Sequence, residues 1–238
     1  MKLSLQRGAL WALSLVLVLG LTQAASAQKK NKRADDAARH ASAAATVFNQ
    51  IMGTPDKGIP RNLLDKAEAV AVFPGVVKAA FIIGGRGGQG VISRRIKGGW
   101  SAPAFFNVGG GSFGAQIGAQ KTDYVLLIMN EAGVRGLMED KFELGGEASV
   151  AAGPVGRTAA ASTNATLDAG ILTYSRSKGL FAGVSLQGAV INPDNDLNEA
   201  TYEGKKASEV LDTERSLTEM PAYVRIFPRT LARYSVRR

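Results

Sequence analysis

Apolar positions recur first at helical spacing and then at strand spacing. Ala37, Ala41, Ala44, Phe48 and Ile51, widened by Ala38, Ala45 and Met52, predict a helix over residues 35–52. Asp35 and Asp36 sit where a helix N-terminus favours negative charge, and Gly53 with Thr54-Pro55 stops the helix. The stripe is mostly alanine, so it suits close packing on a sheet at least as well as insertion into a membrane. A second short helix is expected over 61–69, after Ile59-Pro60.

From residue 70 to about 191 the period changes. Short apolar or alternating runs at 69–73, 77–83, 90–96, 104–108, 112–118, 124–129, 147–152, 158–163, 170–175 and 180–191 are punctuated by glycine, which predicts an antiparallel sheet. The run at 124–129 (YVLLIM) is apolar on both faces and should lie centrally, covered on both sides. A helix is expected over 131–140, and helices return over 205–211 and from 221 onward. Twelve glycines fall among the 35 residues from Gly84 to Gly118. Glycine in strands marks sharp bends, bulges and close backbone approach, which a flat sheet would not need. The fold class that follows is α+β: a strongly bent or barrel-like antiparallel β-sheet with flanking N- and C-terminal helices.

The N-terminus changes this picture only by subtraction. Lys2 and Arg7, the apolar stretch 9–21 and the small-x-small site Ala25-Ser26-Ala27 read as a cleaved export signal over 1–27. Residues 28–33 (QKKNKR) read as a basic tether, and 34–238 as a single domain. An exported protein of the bacterial periplasm or envelope is expected. The chain has no cysteine, which removes thiol catalysis, disulfides and thiolate metal sites.

Charge narrows the partners. The chain carries a formal net charge of +9. No acid occurs between Glu68 and Asp123, while Lys78, Arg86, Arg94, Arg95, Lys97 and Lys121 are all basic. None occurs between Asp168 and Asp194 either, where Arg176 and Lys178 stand. On strands, Arg176 and Lys178 would share a face with Tyr174, and Arg95 would share one with Lys97. A surface of one sign attracts phosphate headgroups, each nearby cation adding ~1 kcal/mol at an anionic membrane. Export disfavours nucleic acid as the partner. The C-terminal stretch 221–238 holds Arg225, Arg229, Arg233 and Arg237 at intervals of four, with Pro228 placed to start a helix.

Catalytic patterns fail on context. Gly85-Arg86-Gly87-Gly88-Gln89-Gly90 and Gly109-Gly110-Gly111-Ser112-Phe113-Gly114 both match G-x-G-x-x-G. The first runs into a strand-like segment, and the next acid is Asp123, so neither reads as a dinucleotide site. His40 is the lone histidine and has no nucleophile elbow to serve. Asp194-Asn195-Asp196 lacks the full calcium-loop spacing and reads as turn chemistry. The expectation is a protein that is not an enzyme and uses neither cofactor nor metal.

Gly99-Trp100-Ser101-Ala102-Pro103-Ala104 is one of several motifs that point to a family. The others are Phe73-Pro74, Gly84 to Gly90, Gly118-Ala119-Gln120, Gly153-Pro154-Val155-Gly156-Arg157, and the run from Tyr174 through Ser175-Arg176-Ser177-Lys178-Gly179-Leu180-Phe181 to Gly183. In this order and spacing, from about Ile59 to Leu211, the chain resembles the SYLF-domain lipid-binding family. The resemblance implies binding of phosphoinositides or other anionic lipids through an amphipathic N-terminal helix and basic residues, and actin association in eukaryotic members. An export signal would place phosphatidylglycerol, cardiolipin or lipid A phosphates ahead of phosphoinositides and actin.

The expected headgroup-binding residues are therefore Arg86, Arg94, Arg95, Lys97, Arg157, Arg176 and Lys178. The expected membrane-contact helix positions are Val47, Phe48, Ile51 and Met52. The partner is an anionic phospholipid surface met peripherally. Two alternatives stand: an envelope module binding protein or peptidoglycan, and a carrier of a small apolar ligand. An outer-membrane barrel is disfavoured by the missing aromatic girdles and the charged strands.

Overall fold

The apolar run at 124–129 ends up on an interior strand of the sheet. The computed structural model describes residues 28, 31–54, 58–80, 83–113, 118–146, 148–156, 169–214 and 217–235. The elements are α1 (31–52), α2 (Arg61–Lys66), β1 (Ala69–Ala80), β2 (Ile83–Ile96), β3 (Gly99–Trp100), β4 (Ala104–Phe113), β5 (Gly118–Ile128), α3 (Glu131–Leu137), β6 (Phe142–Glu143), β7 (Val150–Ala152), β8 (Ile171–Ser177), β9 (Leu180–Gly183), β10 (Val190–Pro193), α4 (Asn195–Thr201), α5 (Ala207–Asp212) and α6 (Ile226–Tyr234). A 3-10 turn, Ala222–Val224, precedes α6.

The sheet runs β6-β10-β4-β2-β1-β5-β8-β7, with β3 paired to β2 and β9 paired to β8. All pairings between these strands are antiparallel except β7 with β8, which is parallel. The sheet curls into a half-barrel, and Leu144 pairs with Ala148 in the segment that links its two edge strands. The expected bent sheet with helices at both ends is therefore present, with one parallel pair added.

The registers sort side chains onto two faces, because directly paired residues share a face. Phe105, Val91, Val72, Val125 and Tyr174 form a row on one side. That side carries α1: the His40 ring meets Phe105 edge-on at 6.4 Å, and Gln50 accepts a hydrogen bond from Arg176. Ala104, Ile92, Ala71, Leu126 and Thr173 form a row on the other side. There α3 seats Gly133 against Ile128 and Gly136 against the Phe142 ring. Covered on both sides, Val70 to Phe73 and Val125 to Ile128 are all buried, as the run at 124–129 predicts.

Glycine lets this packing close. A Cβ on Gly90 would lie 2.2 Å from the Val72 carbonyl oxygen and 2.6 Å from Phe73 Cδ1. The run at 84–90, expected to interrupt two strands, is itself strand: β2 begins at Ile83. Likewise the expected run 69–73 continues through residues 77–80 as one bulged β1, whose register shifts between Phe73 and Val76. Gly75, at φ +59°, makes that bend and donates its N–H to Asp123 Oδ1 at 2.8 Å.

Other expectations move by a few residues or change character. Asn31, Lys32 and Arg33, expected in a tether, are helical, and Arg33 lies 3.7 Å from Asp196. Asp194, expected in a turn, caps α4 by accepting from Leu197 N at 3.1 Å. The strand expected over 158–163 and the export signal lie outside the described residues. Among the described residues no helix is long and apolar enough to cross a membrane.

Two outcomes follow for stability. Gly90→Ala forces a methyl into backbone and should cost ~1–3 kcal/mol in urea unfolding, whereas Gly85→Ala, with nothing within 4 Å of its Cβ, should stay within about 0.5 kcal/mol of the parent. Burial holds the His40 imidazole below its ordinary pKa, Arg39 pushes the same way, and Asp36 and Asp194 oppose both. A lowered folded-state value means stability is complete above the unfolded value of about 6.5 and falls as pH drops below it, until folded His40 itself protonates. His40→Gln should flatten that part of a stability-against-pH curve; an unchanged slope would remove His40 from the account.

Candidate functional site

The seven expected headgroup residues separate into two groups once their partners are visible. Arg94, on β2, is held between Glu131 Oε2 at 3.1 Å and the Asp212 carboxylate. Arg95 points to the α1 side. Its Nε donates to the Ala67 carbonyl at 2.9 Å, and its Nη2 donates to the Leu64 carbonyl at 2.9 Å and to Ser235 Oγ at 2.7 Å. Its guanidinium also lies 4.1 Å over the Trp100 ring. Arg176 pairs with Asp123 Oδ2 at 3.4 Å and donates to Gln50. These three arginines join strands to helices, and their charge and donors are spent inside the fold. Each of the three, expected at a lipid headgroup, is thus already engaged within the protein.

Lys97 and Lys178 are exposed, but in turns rather than on strand faces. Lys178 and Gly179 have φ +49° and +80° between the paired residues Ser177 and Leu180, a two-residue hairpin turn of the primed kind. Arg157 lies outside the described residues. Val47, Phe48 and Ile51, expected at a membrane, are buried, and Met52 is partly buried. The cause is the alanine stripe: Ala37, Ala41, Ala44 and Ala45 bring α1 close enough to the sheet to bury the bulky positions beside them. Phe48 packs on Tyr234 of α6, ring centroids 6.0 Å apart.

The cations left free gather at one end of the sheet. Three rows along the α3 face from Ala104, Ile92, Ala71 and Leu126, the residues Gly110, Arg86, Lys78 and Gln120 lie side by side on β4, β2, β1 and β5. Gln120 Nε2 donates to Ser177 Oγ at 2.6 Å, which ties β8 into the same edge. Lys121 stands on the other face beside Val77, and Lys178 caps the adjacent hairpin. Among the described residues Lys78, Arg86, Lys121 and Lys178 form no ion pair.

Asp123 is the one acid on β1, β2, β4, β5, β8 and β9, and it is occupied by Gly75 N and Arg176. Arg86 and Lys78 are direct cross-strand neighbours of like charge, which costs stability unless an anion joins them. Arg86 Nε is shielded from solvent without a partner, and Nη2 makes only a 3.4 Å contact with the Gly111 carbonyl. Leu180, on the β9 side of the hairpin, is 78% exposed. The rim therefore offers cations, bare glycine backbone and two exposed apolar side chains, Val77 and Leu180. Lys78 and Lys121 belong to this site although the sequence reading did not select them. Their signal was the strand pairing that the glycine runs obscured.

At the other end of β2 a groove of about 680 Å³ runs between the Lys97–Gly99 turn and the C-terminal helices. Glu68, Arg94, Lys97, Asp212 and Glu214 line it, so its charge is mixed. It adjoins a second groove reaching Trp100, whose indole N–H is buried without a partner. Among the described residues no group of three or more carboxylates or histidines is placed to hold a metal ion.

The division of the basic residues is testable by unfolding. Arg95→Ala strips donors from two backbone carbonyls and should cost about 2–3 kcal/mol. Lys178→Glu should leave the unfolding midpoint within about 0.5 kcal/mol of the parent. Equal effects would mean that Arg95 is not a structural tie.

Comparison with known proteins fits this geometry. Residues 109–234 match the family model Ysc84, described as Las17-binding protein actin regulator. Protein YSC84 of Saccharomyces cerevisiae is 39% identical over 167 residues, covering 68% of this chain and 35% of its own length. LAS seventeen-binding protein 3 of the same yeast is 39% identical over 158 residues, covering 65% of this chain and 34% of its own length. SH3 domain-containing YSC84-like protein 1 of Xenopus laevis is 37% identical over 150 residues, covering 62% and 44% respectively. The match thus spans between about a third and under half of these relatives. On its motifs, its curled sheet and these matches, the chain belongs to the Ysc84, or SYLF-domain, family.

Proposed function

We propose that this protein binds anionic phospholipid surfaces peripherally, in the cell envelope to which its N-terminal signal would deliver it, and that it does so without enzymatic activity. The observation that carries this reading is the unneutralised rim, in which Arg86 and Lys78 sit side by side with Lys121 and Lys178 nearby and no free acid on the same strands. Phosphate groups would relieve the like-charge repulsion and fill the unmade hydrogen bonds of Arg86. Leu180 would enter the headgroup layer beside Lys178, whose long stem lets its charge stay at phosphate level. The relatives' names describe a Las17-binding protein and an actin regulator rather than enzymes, which agrees with a binding role.

A second reading, a module that binds protein, rests on the mixed-charge groove at the Lys97 end and the unpartnered Trp100 N–H beside it. Under that reading Ala232→Trp, which fills the groove, would reduce capture of a protein from envelope extract and leave vesicle binding unchanged.

For the leading reading, the protein should co-sediment with phosphatidylglycerol vesicles and not with phosphatidylcholine vesicles, and binding should weaken as salt rises. Reversing Lys78, Arg86, Lys121 and Lys178 to Glu should weaken it by at least about a hundredfold, since each cation contributes ~1 kcal/mol. An affinity that this fourfold change leaves at the parent's value would overturn the rim assignment.

A further inference from the structure

The C-terminal helix carries a second surface of the same chemistry. In α6, Phe227, Pro228, Thr230 and Leu231 are buried against the body of the protein. Ile226, Arg229 and Arg233 follow the i, i+3, i+7 spacing of one helix face and point the other way, all exposed. Tyr223, in the 3-10 turn just before the helix, is 38% exposed, and Ile226 is 45% exposed. Arg225 is not part of this stripe, because its Nε donates to the Met220 carbonyl and its Nη2 to the Thr218 carbonyl, both at 2.8 Å. Among the described residues Arg229 and Arg233 form no ion pair. An aromatic and an aliphatic side chain beside two free arginines match an anionic membrane interface: the rings and alkyl groups enter the headgroup layer while the guanidinium groups meet phosphate. An acidic protein would satisfy the arginines but leave no such reason for Tyr223 and Ile226 to stand exposed beside them.

Position gives the stripe its consequence. The helix packs beside β3, next to the Lys97–Gly99 turn, while Arg86 lies at the far end of β2. The ten steps along β2 from Arg86 to Ile96 separate the two basic regions by about 33 Å of strand. The flank at the level of Arg94 carries Glu131 and Asp212, whose side chains are 56% and 58% exposed, and Glu214 lines the groove between that level and α6. A molecule lying on that flank would press carboxylates against an anionic surface, so each end is better placed to meet a surface of its own.

We propose that the protein is bivalent: its strand-end rim holds one anionic bilayer while the Tyr223, Ile226, Arg229 and Arg233 face of α6 holds another, so that it bridges two membranes. This rests on the rim reading above, and the measurement separates the two. Phosphatidylglycerol vesicles are mixed with the protein, and both sedimented protein and vesicle clustering by light scattering are followed.

Clustering should rise with protein, then fall again at excess protein, when every molecule finds its own vesicle and few are shared. Arg229→Glu with Arg233→Glu should cut clustering at least tenfold while the protein still sediments with vesicles. Reversal of the four rim cations should abolish clustering. Sedimentation without clustering, or clustering that survives the Arg229/Arg233 change, would overturn bridging and leave the rim reading standing. Absence of sedimentation would overturn both. Tyr223→Ser with Ile226→Ser, which keeps the charge, should also reduce clustering. If the arginine pair matters and the apolar pair does not, the second surface is not a membrane contact.

Discussion

The Asp123 carboxylate sets the division on which the rest of the molecule depends. One oxygen accepts the Gly75 N–H at the bend of β1, and the other meets Arg176 on β8. On one side of this bend the sheet is covered on both faces and forms the core. On the other side the same strands continue without a full covering layer. Because Asp123 is the one acid on these six strands, the cations beyond the bend have no internal partner to turn to. Structural closure and exposed positive charge thus come from a single residue placed at the boundary between them.

Much of the fold was legible because its signals are local. The alanine stripe of α1, the two-faced run at 124–129 and the glycine density each carry their meaning within a few neighbours. The site was less legible because charge is only half of a binding residue, the other half being the absence of a partner. Arg94 is answered by Glu131 and Asp212, 37 and 118 positions away. Arg95 is answered by backbone carbonyls near Leu64 and a hydroxyl near the C-terminus. A long stretch without acids therefore overstated the free charge, since the neutralising groups arrive from helices outside the stretch. Strand parity misled at Lys178 as well, because the Lys178-Gly179 turn ends the strand on which a shared face with Tyr174 was counted.

The same accounting explains why α1 is docked rather than free. Its bulky positions form a single narrow arc with the alanines, and that arc is what the sheet needs to bury Val72, Val125 and Phe105. A helix that inserted into a membrane through Phe48 and Ile51 would have to leave those side chains of the sheet exposed. The apolar surface given up on the sheet would offset the apolar surface gained in lipid, area for area. Docking also retains the Phe48–Tyr234 contact and the Gln50–Arg176 hydrogen bond. The groups the fold leaves without an internal role are instead the rim cations, Leu180 and the outer face of α6.

Those groups share a property that bears on how the family could vary its function without changing its core. Each lies on a turn, a strand end or the solvent side of a helix, so its replacement leaves the packed rows untouched. The arginines that tie strands to helices are constrained by geometry at both ends of each contact. The side chains of Lys97, Lys178, Arg229 and Arg233 are exposed. Surface charge at the two ends of the sheet can therefore change without disturbing the core between them.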